Sequence, residues 1–320
     1  MSLEHIGSID LPPHAKRGGF DHAAVHCGIG RLYLAHTAND SLDVIDCRGL
    51  RHIHSIPDLR GVAGVLVSGD QNLIFTSNRG ENTVGILSAD TGDPLEKVRV
   101  GIGPNGLAYD LGRNLLLAAN VGDPAIPGSH TVSMVDVEAR KLLGDIPVSG
   151  RTRWALYHAD FDAFYVNIAD PPEIAVIEGS RPDHVRRTIS VPAAGPHGLD
   201  YDPRLGRLFC ACGGKVLIAF DATTWRVLGQ ATLSGAPDVV FCNAALGRVY
   251  VAIGDPGVID VFEAETLRRL ETVGTEAGAH TIAINASDQR VYAFLPATHR
   301  AAVYQDTGGR SMENVPSPAS

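Results

Sequence analysis

Apolar residues fall along this chain in short runs of Val, Ile, Leu, Tyr and Phe, broken by Gly-Arg, Asp-Pro and Asn-rich turns. No stretch sustains a helical period, so the pattern predicts strands throughout. One phrase keeps returning. Leu199-Asp200-Tyr201-Asp202-Pro203-Arg204-Leu205-Gly206-Arg207-Leu208-Phe209 reads as strand, turn, strand. Its echoes are LAYDLGRNLLLAAN from Leu107, VVFCNAALGRVYVAI from Val239 and IAINASDQRVYAFL from Ile282, with weaker copies from Ala23, Gly64 and Trp154. Each copy is followed by a third apolar run, such as Leu42-Asp43-Val44-Ile45-Asp46 or Val258-Ile259-Asp260-Val261-Phe262. A fourth, more polar run follows, as in Arg226-Val227-Leu228-Gly229-Gln230-Ala231-Thr232-Leu233.

The residues just ahead of each first strand are Asp21, Ala63, Asn105, Arg153, His197, Asp238 and His280, spaced 41 to 48 positions apart. A four-stranded unit repeating at ~40 to 45 residues is the period of a β-propeller blade. The expected fold is therefore all-β: a single seven-bladed β-propeller of four-stranded antiparallel blades. The last copy, from His280, holds three clear strands, and the missing outer strand matches Leu3-Glu4-His5-Ile6-Gly7-Ser8-Ile9 near the start of the chain. The N-terminal strand is expected to join the last blade and close the ring, which removes two open sheet edges. Residues 1–312 then form the propeller and 313–320 a polar tail.

Composition narrows the partners. The 320 residues carry 27 Lys and Arg against 36 Asp and Glu, a net charge of -9. Nucleic-acid binding is not expected, because its footprint is a basic surface. No apolar run reaches the ~18 to 20 residues of a membrane-spanning helix, so no membrane partner is expected. The opening MSLEHIGSIDLPP has neither a basic nor an apolar signal region, and five cysteines are an odd number for a disulfide framework. Both features point to free thiols in a cytoplasmic protein, or a periplasmic one if a leader has been removed.

The pattern P-x-G-L-x-x-D-x-x-x-x-R-L-x-V-A, followed by a V-x-V-I-D strand, resembles the YVTN-type β-propeller repeat family. It is carried here by Gly103-Pro104-Asn105-Gly106-Leu107-Ala108-Tyr109-Asp110, Gly195-Pro196-His197-Gly198-Leu199-Asp200-Tyr201-Asp202 and Gly247-Arg248-Val249-Tyr250-Val251-Ala252. The resemblance spans roughly residues 3 to 310 and implies a propeller. It implies no single activity, because related propellers include lactonases, lyases and binding scaffolds.

Candidate chemistry follows from the register. First strands line the central channel of a propeller, so the seven residues named above ring one mouth. His197, Asp238 and His280 lie on consecutive blades, and imidazole and carboxylate donors converging from rigid strands suit a divalent metal ion. Such an ion polarises a carbonyl or activates water. Asp21, or His22 if the register is one off, would complete the shell or act as base. Arg153, the lone cation of the ring, suits a substrate carboxylate or phosphate, with Trp154 beside it to stack on a ligand. Asn105 is the remaining polar member. A second set, His36, Ser77, Asn120, Asn167 and Cys212, ends the second strands on the same face, and the long loop from Asn120 to His130 is a candidate lid. Two functions are carried forward. One is a metal-dependent lyase or hydrolase acting on a small anionic molecule. The other is a non-catalytic propeller that binds a protein or small ligand at the channel mouth, with the same polar ring merely hydrating the channel.

Overall fold

Each recurrent phrase folds into the two innermost strands of one blade. A computed structural model describes residues 3–308, and the polar tail expected at 313–320 lies outside the described residues. Seven four-stranded antiparallel sheets follow one another around a ring. Their inner strands are Ala23–His26, Val62–Ser68, Pro104–Asp110, Thr152–His158, Pro196–Asp202, Val240–Asn243 and Ile282–Asn285. The only helical pieces among the described residues are two single turns, Thr37–Asn39 and Ala159–Phe161.

The recurring Asx at the end of an inner strand has a local cause. Asp110 Oδ1 accepts the backbone N–H of Gly112 (2.9 Å), and Asp202 Oδ1 accepts those of Arg204 and Leu205 (2.9 and 3.2 Å). Asn243 and Asn285 make the equivalent bonds to Leu246 and Ser287. These side chains satisfy turn amides that the ladder leaves unpaired and so fix where each hairpin reverses.

Hydrophobic pattern sets radial position. Second strands such as Leu115–Asn120 and Ala163–Ile168 are buried at every residue because a neighbouring blade covers each face. Outer strands are wetter; Lys141–Pro147 is exposed at every residue except Ile146. The core is accordingly not one cluster. It comprises seven apolar seams between adjacent blades, such as Tyr292 and Phe294 of blade seven against Leu32 and Leu34 of blade one.

The ring closes as the sequence leads one to expect. Leu3–Asp10 pairs antiparallel with Arg300–Asp306, from Leu3 opposite Asp306 to Asp10 opposite Arg300, with one register shift between His5 and Gly7. Leu3 and Ile9 are buried at 4% and 2% exposure. Across the seam between blades six and seven, Tyr250 donates to Asp306 Oδ2 (2.6 Å), which ties blade six to the strand that Leu3–Asp10 pairs with.

All five cysteines are unpaired. Cys27 and Cys47 lie in turns just past their strands. The Cys210 and Cys212 sulfurs are 3.7 Å apart, well beyond the ~2.05 Å of a disulfide. Thiol titration of denatured, unreduced protein should return five reactive groups; any fewer would mean a bond that this geometry excludes.

Candidate functional site

The residues that open the inner strands come together at one channel mouth because the residue behind each is often glycine. A Cβ on Gly106 would lie 2.5 Å from the Arg153 carbonyl oxygen, and one on Gly198 would lie 3.0 Å from that of Asp238. The P-x-G-L phrase is thus a packing requirement. Glycine lets one blade's strand approach the next blade's ring residue, and x is the ring residue itself.

Within the ring, Asp21, Asp238 and His280 present donor atoms that all lie within 4.8 Å of one another. Their side chains are 17%, 20% and 37% exposed, so the cluster is reachable from solvent. The His280 Nδ1 donates to the Gly278 carbonyl (2.8 Å), which leaves Nε2 facing Asp238 Oδ2 at 3.6 Å. In the neutral ring this aims a lone pair at a carboxylate, an unfavourable contact that a cation between them would relieve.

His197 stands beside this cluster. Its Nδ1 donates to the Pro237 carbonyl (2.8 Å), while Nε2 is 3.0 Å from Asp238 Oδ1 and 3.2 Å from Arg153 Nη1. Arg153 can only donate, so Nε2 cannot satisfy both neighbours in one protonation state. Asn167 braces the backbone here, its amide bonding the carbonyls of His197 (2.9 Å) and Gly198 (3.2 Å). Burial opposes ionisation of Asp238. The hydrogen bond from His197 and the electrostatic pull of the surrounding His197, His280 and His22 rings outweigh it, holding the carboxyl well below its usual range. Arg153 is pushed down, first by burial and then by the Arg151 charge. A cation short of counter-charge favours binding an anion.

His22 turns inward. Its Nε2 is 3.4 Å from Asp21 Oδ1, and its ring lies on Trp154 with centroids 4.5 Å apart. Burial lowers its pKa, against the Asp21 and Asp238 charges. His22 and Trp154 occupy the register position that is glycine in blades two, three and five, and they form a floor beneath the polar mouth.

Sequence reasoning missed Arg79. It reaches from the hairpin after Leu73–Asn78 to Asn105 Oδ1 (2.8 Å) and Asp21 Oδ2 (3.4 Å). It thereby spans the gap at Ala63, the one apolar ring position, and that Ala among polar residues was the available signal. The second set does not extend the mouth. Asn120 bonds Thr131 and Ser133 within its own sheet. His36 is fully buried between Asp43 (Nδ1, 2.8 Å) and His14 (Nε2, 2.8 Å). Cys212 is likewise buried. In the 120–130 loop, Ser129 bonds both the amide and the carbonyl of Asp123, and His130 bonds Val121, so the loop is folded upon itself.

Among solved structures the chain resembles Kuenenia stuttgartiensis hydrazine synthase, with a TM-score of 0.80 at 11% identity over 92% of this chain and 98% of that one. It also resembles a chain of a mitotic checkpoint complex, with a TM-score of 0.77 at 11% identity over 94% of this chain and 91% of that one. At such identity the likeness is one of fold. No protein-family model and no curated protein sequence matches.

Proposed function

We propose that the channel mouth is a divalent-cation site that acts on a small anionic molecule, as a metal-dependent lyase or hydrolase. The observation that carries this reading is the convergence of Asp21, Asp238 and His280 from three blades that adjoin across the ring closure. Two carboxylate oxygens and one imidazole nitrogen are a donor set for a transition-series divalent ion. When bound, such an ion supplies Lewis acidity to a carbonyl or lowers the pKa of water.

The remaining residues take roles consistent with their contacts. His197 hydrogen-bonds Asp238 and orients it from beside the cluster. Arg153 and Arg79 flank the two carboxylates, and Arg153 is the group suited to a substrate anion. An anion that draws Arg153 away from Nε2 releases His197 to donate to Asp238 or to hold a proton at that atom. His22 and Trp154 close the site from below. The YVTN-like repeat resemblance fits this scaffold without assigning its chemistry.

Thermal unfolding against a panel of divalent ions tests the reading directly. Wild type should gain stability with one or more transition-series ions, by about 2.7 kcal/mol at a hundredfold excess over Kd. If no divalent ion raises the midpoint at millimolar concentration, the ring is a hydrated polar lining. The non-catalytic scaffold that binds a protein or ligand at this face then takes its place.

A further inference from the structure

Beneath the His22–Trp154 floor the channel continues as a cavity of about 410 Å³. None of the mouth residues Asp21, Arg153, His197, Asp238 or His280 lines it. We propose that this lower channel is a second binding site, for a small organic monocation: an ammonium on an apolar group, with Asp200 as counter-ion and aromatic rings as walls.

The register makes Asp200 conspicuous. Three residues after each ring position the seven inner strands carry Ala24, Leu66, Ala108, Leu156, Asp200, Phe241 and Ala283. One tier of the channel is therefore apolar except for a single carboxylate. Asp200 is fixed in place by backbone amides, Oδ2 accepting from Cys242 (2.6 Å) and Oδ1 from Tyr201 (2.9 Å). Among the described residues no lysine or arginine lines the cavity, and its other acid, Asp70, stands at the rim. Burial pushes the Asp200 carboxyl up to about 6, against those two hydrogen bonds, so at neutral pH it is largely an anion without a counter-charge.

The walls suit a cation on an apolar carrier. Trp154, Phe241, Tyr109 and Tyr157 all line the cavity. Both tyrosine hydroxyls are tied away at the far rim, Tyr109 to Asn114 (2.9 Å) and Gln71, and Tyr157 to Asp162 (3.1 Å). Their rings are thus held as preformed walls, and ring faces attract cations. Arg113, which touches Tyr157, is already paired with Asp110 and Asp162 at 2.7 Å each. The volume falls within the range of small-molecule pockets.

A purely structural Asp200 would only satisfy the Cys242 and Tyr201 amides, and calorimetry separates the two roles. Phenethylammonium is titrated into the full-length protein beside 2-phenylethanol, its uncharged counterpart of similar size. The ammonium should bind at least tenfold more tightly, and Asp200→Asn should erase that preference. Leu156→Arg leaves the Asp200 bonds in place and puts a fixed cation in the same tier; it should abolish ammonium binding even if the Asn variant folds poorly. Equal affinities in wild type, no binding of the ammonium at millimolar concentration, or a preference that survives either variant would each overturn the proposal. Chelator and Asp21→Asn/Asp238→Asn should leave the result unchanged, so failure here is distinct from failure of the cation site at the mouth.

Discussion

Replacing Asp21 and Asp238 together with Asn is expected to abolish divalent-ion binding at the channel mouth while the propeller stays folded. Removing two anionic donors leaves His280 as the single strong ligand of the cluster, and affinity should fall by at least ~100-fold, since even supporting residues of metal sites are worth 10 to 100-fold. The fold should tolerate the change. Asn keeps an oxygen for His197, and both positions sit at a solvent-accessible mouth rather than in an apolar seam. The unfolding midpoint without metal should therefore move within the ~0.5 to 3 kcal/mol of ordinary point changes. The dependence of stability on added ion should vanish. Isothermal titration and thermal unfolding with and without the ion measure both quantities. A double variant that still binds the ion as tightly as wild type would move the site elsewhere.

Deleting residues 1–10 should destabilise the whole molecule, because it takes one strand from a sheet that the chain's two ends build jointly. Leu3 and Ile9 are almost completely buried, and each such side chain contributes ~1.5 to 3 kcal/mol. Their loss, at about 3 to 6 kcal/mol, is a large part of the ~5 to 15 kcal/mol that separates a typical domain from its unfolded state. The deletion also bares Arg300–Asp306, whose Ala301, Ala302, Val303 and Tyr304 are buried in the closed ring. An apolar edge of that kind recruits other chains. Chemical denaturation should show the lowered midpoint, and light scattering the association. A truncated protein with an unchanged midpoint and no aggregation would disprove that this strand holds the ring closed.

Much of the fold was legible because a repeat states its own period. The Asp that ends an inner strand encodes a hairpin through local bonds, as at Asp110 and Asp202, and such bonds need no distant partner. The largely apolar second strands and the polar outer strands announce which part of a blade is covered by its neighbours. Ring closure was legible too, since the last blade lacked a strand and the chain's start supplied one of the right character.

The site was legible only in outline. Register alone placed Asp21, Asn105, Arg153, His197, Asp238 and His280 at one mouth, because all inner strands start at the same height. It was silent about side-chain direction. His36 ends a second strand as the pattern requires, yet it turns into the blade toward Asp43 and His14. Arg79 comes from a hairpin and enters the ring because its long side chain crosses the space that Ala63 leaves open.

The sequence by itself determined the blade, the number of blades and the height of the ring residues, since each follows from local periodicity and turn chemistry. Tertiary structure alone decided which donors converge, that His22 and Trp154 divide the channel, and that Asp200 faces a cavity walled by rings from other blades. Those are distances between atoms of different blades. They are fixed by how seven apolar seams close a circle, which no one repeat encodes.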